Sequence, residues 1–196
     1  MVASERNNYK RAWFRRRVSS IDPNQLIFID EAAVNISMTR RYGRAAPGER
    51  VVESVPRNYG EQTSRISAIG LRGLVATRTL EGAVDTLAFN AYINEVLAEN
   101  INQGDVVILD NLNVHKASQI EEVASGTGAR VIWLAPYSPD YSPIEECWSK
   151  IKQLIRAAKA RTRQELEAAL VRAMDIITSS DIRGWFKHCG YLVASG

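Results

Sequence analysis

Apolar residues occur in this chain with two different spacings, and each spacing predicts its own kind of element. Continuous apolar runs open residues 26–34 and fill 106–110 and 130–135, as is typical of strands buried on both faces of a sheet. Residues 65–71 alternate polar and apolar side chains, as a half-buried strand does, and 73–77 fits as its hairpin partner. The sequence therefore predicts a sheet with strands in both halves of the chain.

From residue 86 onwards, apolar residues between these strands return every three or four positions, which is the spacing of amphipathic helices. Residues 40–82 instead mix short β-like runs with turn signals. A β-rich first half followed by strands that alternate with helices predicts an α/β protein with a mixed sheet. The helices are expected at 86–100, 117–125 and 142–159, with a last helical region at 162–188.

The composition is that of an ordinary globular domain, with 45% hydrophobic and 24% charged residues. No apolar run approaches the roughly 20 residues that cross a bilayer, and residues 4–17 are too polar and basic for a signal peptide. We therefore expect a cytoplasmic protein without a membrane partner. The two cysteines, Cys147 and Cys189, have no metal-finger spacing and are expected to be buried and reduced.

The net charge is only +3, but the basic residues are clustered. The segment from Arg6 to Arg17 contains six basic residues and no acid, and the segment from Ser149 to Arg163 repeats that count. Such clusters suit a polyanion such as nucleic acid. The alternative for either cluster alone is a solvated helix face.

Two of the apolar strands end in an aspartate, Asp30 and Asp110. Either residue alone could be a turn or helix-capping residue. As a pair on neighbouring strands they would converge at the edge of the sheet where α/β proteins bind ligands. Two carboxylates held close together repel each other unless a cation lies between them, and oxygen-only ligands favour Mg²⁺ or Mn²⁺.

A third carboxylate follows Asp110 after 34 intervening residues, at Glu145. The stretch from Ser142 to Glu145 also fits a helix-capping box, in which Glu145 would serve the helix and not a metal. Its neighbour Glu146 could then supply the third carboxylate. Both glutamates flank the apolar stripe of the predicted helix, so periodicity alone leaves the choice open.

Three motifs that carry these residues occur in order: Phe28-Ile29-Asp30-Glu31, then Leu109-Asp110-Asn111 with His115-Lys116, then the stretch from Pro136 to Glu145. Together they resemble the DDE transposases, most closely the bacterial insertion-sequence relatives of the mariner superfamily. The third motif of that family usually reads Ser-Pro-Asp-Leu-Asn-Pro-Ile-Glu. In this chain Tyr141 and Ser142 replace its Leu and Asn.

The resemblance implies a ribonuclease-H-like fold, in which helices flank a mixed five-stranded sheet whose first and fourth strands lie side by side and parallel. It implies a basic N-terminal arm or helix at 1–24, the catalytic domain at 25–160 and a C-terminal helical extension of that domain at 161–196. Because family members normally begin with helix-turn-helix modules, it also implies that this chain is the catalytic part alone.

The resemblance further implies an activity and its partners. Asp30, Asp110 and Glu145 would hold two Mg²⁺ or Mn²⁺ ions, which sets Glu146 aside. The chain would cut DNA at transposon ends and join the freed 3′-OH to target DNA, with a homodimer expected on the DNA. The side chains expected to contact DNA are His115, Lys116, Lys150, Lys152, Arg156, Arg15 and Arg16.

Two other functions share these sequence features. A ribonuclease-H-like nuclease or junction resolvase would use the same carboxylates without strand transfer. A catalytically retired DNA-binding domain would keep the basic clusters without the chemistry.

Overall fold

A computed structural model describes residues 6–40, 42–58, 60, 62–110 and 114–193, and the side chains of all of these except 114–117. Within these residues five strands form one sheet in the order β3-β2-β1-β4-β5. The first two pairings, β3 with β2 and β2 with β1, are antiparallel, whereas β4 is parallel to both β1 and β5. The strands are β1 (Leu26–Val34), β2 (Thr63–Gly70), β3 (Gly73–Glu81), β4 (Val106–Leu109) and β5 (Arg130–Trp133).

Six α-helices cover the two faces of this sheet in the described part of the chain. The helices α2 and α3, with a π-helical turn at Ile93–Leu97, pack on one face, and the other four pack on the opposite face. The mixed five-stranded sheet between helices is thus confirmed. The helices are α1 (Asn8–Val18), α2 (Thr86–Tyr92), α3 (Val114–Thr127), α4 (Pro143–Ala158), α5 (Arg163–Asp175) and α6 (Ser179–His188).

The central strand β1 shows why its sequence is apolar on both sides. Because side chains alternate along a strand, Phe28 packs into the core beneath α4 and α6, whereas Ile27 and Ile29 pack into the core beneath α2 and α3. All three are buried. A strand covered on both faces has no solvated side, and its first four residues are accordingly all apolar.

Three element boundaries differ from the sequence-based expectation. The predicted helix at 86–100 is α2 followed by the π-helical turn, and the predicted helix at 117–125 begins earlier, as α3. The helical region at 162–188 is two helices, because Thr178 begins α6 with a capping box to Asp181. Among the described residues between β1 and β2 there is no helix or strand, so the β-like runs expected near residue 40 do not form strands there.

The N-terminal helix α1 is packed against the body of the protein. Its side chains Phe14 and Val18 are buried in the same core as α4, α5 and α6. The predicted N-terminal segment therefore contributes to the core of the catalytic domain. The predicted domain boundaries remain untested. Both cysteines are buried and unbonded to each other, as expected. None of the helices in the described ranges is both long enough and apolar enough to cross a membrane.

Candidate active site

Parallel pairing of β1 with β4 brings Asp30 and Asp110 level with each other. Asp110 follows β4, as expected, but the expectation that the first strand ends at Asp30 is wrong, because β1 stays paired with β2 as far as Val34. The register pairs Leu26 with Val106 and Phe28 with Ile108. Asp30 and Asp110 each lie two residues beyond the last of these pairs, on neighbouring strands. The convergence that the sequence predicted for these two residues is therefore seen in the structure.

A cleft of about 480 Å³ opens at this point. Asp30 and Asp110 line it, together with the loop that follows β5. Glu145, in the first turn of α4, also lines it. The three predicted carboxylates thus face one cavity. The other lining residues are Ile29, Leu134, Pro136, Tyr137, Ser138, Pro139 and Ser142.

The structure separates the two glutamates that periodicity could not. Glu145 faces the cleft, whereas the carboxylate of Glu146 lies 3.7 Å from Nε2 of His188 on α6. Ser142 does occupy the N-cap of α4 with Pro143 after it, but its side chain makes no capping hydrogen bond. Its backbone N–H donates to the carbonyl oxygen of Pro139 at 2.9 Å. The capping box that the sequence suggested for Glu145 is therefore wrong.

The cleft disfavours negative charge on its carboxylates. Burial raises the pKa of Asp30 to about 7, and the nearby charges of Glu145 and Glu31 act in the same direction. Burial also raises the pKa of Glu145, as does the charge of Asp110, whereas the positive charge of Lys152 opposes the shift in both residues. A cation bound among these groups would relieve this repulsion.

The donor set fits a hard divalent cation, because it consists of carboxylate oxygens. The described side chains nevertheless include no group of three acidic, histidine or cysteine residues gathered tightly enough to hold a metal ion. The three carboxylates therefore share a cleft without forming a closed coordination shell. Binding a cation would require them to draw together.

Most of the second basic cluster is neutralised within the protein. Lys150 donates to Asp181 at 2.6 Å and so ties α4 to α6, away from the cleft. Lys159 pairs with Glu53 at 2.7 Å. Within the described residues Lys152 and Arg156 make no ion pair. They continue the Glu145 side of α4 at helical spacing, and Arg156 borders a shallow pocket with Arg40.

The remaining predicted DNA contacts are scattered. The guanidinium of Arg15 donates to the carbonyl oxygen of Gly190 and lies over the ring of Tyr141, whereas Arg16 is exposed. His115 and Lys116 lie in the first turn of α3, and their side chains are outside the described part of the structure. Asn111 of the second motif is likewise outside the described residues. Among the predicted DNA contacts whose side chains are described, Lys152 is the one whose positive charge acts on Asp30 and Glu145.

Sequence reasoning missed a contact between α1 and the loop that leads to Glu145. Arg11 donates two hydrogen bonds to the carboxylate of Asp140, at 2.9 and 2.6 Å, and Arg6 adds a third at 3.2 Å. The ring of Tyr141 stacks on Phe14 at 5.7 Å, and its backbone carbonyl oxygen accepts a hydrogen bond from Tyr191. Arg11, Phe14 and Val18 are spaced three and four apart, which is the one sequence signal of a buried face on α1.

We expect Asp140→Ala to lower the free energy of unfolding by about 2–3 kcal/mol, because it leaves the buried guanidinium of Arg11 without a carboxylate. The side chain of Arg11 is only 7% exposed, and that of Asp140 is 51% exposed, which keeps the loss below that of a fully buried pair. Urea unfolding followed by tryptophan fluorescence measures it. Asp175→Ala, at an exposed carboxylate on α5, is the control.

The pH dependence gives a second check on this contact. The hydrogen bonds from Arg11 hold the pKa of Asp140 below its usual range. The stability that they contribute is therefore present above the pKa of the unfolded chain and is lost as the pH falls through the lower pKa of the folded state. The difference between the Asp140→Ala and wild-type proteins should shrink in acid. A loss under about 0.5 kcal/mol at pH 7 would contradict the role assigned to the contact.

The fold is shared with solved transposase structures. The Mos1 transposase paired-end complex with left transposon end superposes with a TM-score of 0.73 at 14% identity, covering 96% of this chain and 60% of that one. The Mos1 paired-end complex with Mg superposes with a TM-score of 0.69 at 16% identity and covers 96% of this chain and 63% of its own. The Mos1 catalytic domain with raltegravir and Mg gives 0.63 at 13%, covering 93% and 88%.

This chain therefore spans about 60% of the length of the paired-end proteins that it resembles. At these identities the likeness establishes the fold, and it confirms the predicted ribonuclease-H-like architecture. No curated protein matches the chain. The narrower resemblance to bacterial insertion-sequence relatives stays a prediction.

A family model provides the assignment that structural likeness alone does not. The model for the DDE superfamily endonuclease family matches residues 25–167, which is most of the chain and includes Asp30, Asp110 and Glu145. The match agrees with the cleft in which these three carboxylates meet. This chain belongs to the DDE superfamily endonuclease family.

Proposed function

We propose that this chain is the catalytic domain of a transposase, which cuts DNA phosphodiester bonds at transposon ends and joins the freed 3′ end to target DNA. One observation carries the proposal: Asp30, Asp110 and Glu145 come from three separate elements and line the same cleft. Membership of the endonuclease family supports the cutting step. The solved Mos1 structures include complexes with a transposon end, with Mg or Mn and in a strand-transfer state, which supports the rest.

In this proposal the three carboxylates hold two Mg²⁺ or Mn²⁺ ions. Such ions supply Lewis-acid stabilisation of the charge that develops on the phosphate and activate water as a nucleophile at neutral pH. The protein contributes a cleft in which burial raises the pKa of Asp30 and of Glu145. Because metal ligands must be deprotonated, a cation bound here would release the protons that these carboxyl groups hold.

The same site would serve both reactions. In hydrolysis a water oxygen bonds to phosphorus while the bond to the 3′ oxygen breaks, and that oxygen leaves with a proton. In strand transfer the freed 3′-OH takes the place of water, and a 3′ oxygen of the target strand is the leaving group. Lys152 lies beside the carboxylates and would attract the phosphate, with Arg156 and Arg40 extending the positive charge along the DNA backbone. Two transposon ends must meet, so we propose a homodimer on DNA.

The test uses the full chain with supercoiled plasmid in Mg²⁺, in Mn²⁺ and in EDTA, together with a labelled oligonucleotide that carries a pre-cut 3′-OH. We expect plasmid nicking in either metal, none in EDTA, and covalent joining of the label to the plasmid. Nicking without joining would favour a nuclease or resolvase. Absence of both, with no thermal shift on adding Mn²⁺, would favour a retired DNA-binding domain.

A further inference from the structure

A second cavity lies on the sheet face that α5 covers, between that helix and the hairpin of β2 and β3. Its volume is about 350 Å³, and none of its lining residues lines the carboxylate cleft. Most of its lining side chains are polar, unlike those of a simple gap in packing between a helix and a sheet. Its polar lining residues are Thr63, Arg65, Thr79, Glu81, Arg163 and Glu167.

Arg65 is the unusual member of this set. Its Nε and Nη1 atoms are shielded from solvent and donate to no acceptor among the described residues. Burial lowers the pKa of the guanidinium, and no carboxylate of the described residues counters that effect. A guanidinium stays protonated in proteins even so. The fold therefore keeps a half-buried positive charge with two shielded, unused donors, which is costly unless something else satisfies them.

The acids of the pocket already have a partner. Arg163 forms ion pairs with both Glu81 and Glu167. Neither carboxylate bonds to Arg65, although Glu81 is on the strand beside it. Across the β2–β3 pair, Thr79 lies directly opposite Arg65, and Thr63 lies two residues away on the same side. A ligand in the pocket would thus lie beside two threonine hydroxyls and beside Arg65, whose shielded donors would have to turn toward it.

We propose that this pocket binds a phosphate group, with Arg65 as its principal ligand. A guanidinium presents a planar fork of donors that matches two phosphate oxygens, and threonine hydroxyls can donate to a third. In this proposal the terminal torsions of Arg65 rotate on binding, so that its shielded donors enter the cavity. The phosphate comes from free inorganic phosphate or from the backbone of a nucleic acid strand. The site is independent of the metal chemistry proposed for the cleft.

The test measures thermal unfolding in EDTA, with phosphate or with chloride at equal ionic strength. For the wild-type protein we expect phosphate at ten times its Kd to raise Tm by about 3 °C, with no comparable effect of chloride. Arg65→Met should lose the phosphate response, and without phosphate it should unfold no earlier than wild type, because it removes a half-buried charge with two unpaired donors. Arg65→Lys should bind at least about tenfold more weakly, because an ammonium lacks the fork.

Arg78→Met is the matched control, since Arg78 adjoins Thr79 on β3 but is paired with Glu95. It should keep the full phosphate response. An Asp30→Asn protein should also keep it, so failure of the cleft chemistry and failure of this pocket can be told apart. An equal response of the wild-type and Arg65→Met proteins, or an equal effect of chloride, would overturn the proposal.

A short single-stranded oligonucleotide without a terminal phosphate distinguishes the two sources. If the oligonucleotide competes with inorganic phosphate in the wild-type protein but not in Arg65→Met, the pocket binds a nucleic acid backbone. Phosphate binding that the oligonucleotide does not disturb would assign it to the free anion. Either result supports a phosphate pocket, and absence of any binding by calorimetry would refute it.

Discussion

Asp30→Asn should make the metal-free protein more stable above pH 7 while abolishing metal-dependent DNA cleavage. Burial raises the pKa of Asp30 to about 7, compared with about 3.9 in an unfolded chain. Between these values the folded protein binds a proton that the unfolded chain has released. Stability therefore falls as the pH rises through this window and is lowest above it. Asparagine removes the charge, and the gain at pH 8 should be about 2–4 kcal/mol.

Urea unfolding in EDTA at pH 5 and pH 8 measures this gain, which should be much smaller at the lower pH. Asp175→Asn, on the exposed side of α5, should show no such dependence. Adding Mg²⁺ or Mn²⁺ should stabilise the wild-type protein and leave Asp30→Asn unchanged, because binding only to the folded state raises stability. If Asp30→Asn were less stable than wild type at pH 8 in EDTA, the charged Asp30 carboxylate would not destabilise the folded protein, which would contradict the raised pKa.

Glu145→Gln should lower the cleavage rate by at least about a thousandfold, whereas Glu146→Gln should change it by less than about threefold, on the scale where 1.36 kcal/mol of barrier is tenfold. The two residues are adjacent on α4, yet only Glu145 faces the cleft, and Glu146 lies beside His188. Both variants keep the shape of the side chain, so the pair isolates the effect of position. Single-turnover cleavage of a labelled DNA substrate in Mn²⁺ gives the rates.

The thermal stability of the same two variants adds a second criterion. The backbone N–H of Ser142 is bound to Pro139 and not to Glu145, so Glu145→Gln should not weaken the start of α4. A loss of about 1 kcal/mol in Glu145→Gln with full cleavage would restore the capping function. A loss of cleavage in Glu146→Gln instead would show that the other glutamate serves the chemistry.

The sheet and the placement of its two aspartates followed from local sequence. A strand buried on both faces has to be apolar at successive positions, and the run before Asp30 and the run before Asp110 both meet that condition. Parallel pairing then places Asp30, within β1, beside Asp110, which follows β4. The spacing and motif around Glu145 located the third carboxylate, although its capping pattern pointed elsewhere.

The use of the basic residues could not be predicted from local sequence, because their partners are distant. Arg11 pairs with Asp140, and Lys150 with Asp181. A segment without acids was expected to offer its charge to a polyanion, but folding supplies the acids from elsewhere in the chain. Periodicity could not separate Glu145 from Glu146 either. The family motif favoured Glu145, and the structure adds that Glu146 lies beside His188 on α6.

The contacts of the loop that precedes Glu145 have a consequence for the order in which the chain acquires its cleft. Arg11 is 129 residues from Asp140, and Tyr191 is 50 residues beyond Tyr141. Contacts this far apart in sequence are slow to form, because the intervening chain must first be ordered. During synthesis Arg11 is made long before its partner Asp140, and Tyr191 is made after Tyr141. A nascent chain that already contains all three carboxylates thus lacks the contact from Tyr191, so the fully secured cleft belongs to the finished protein and not to its translation intermediates.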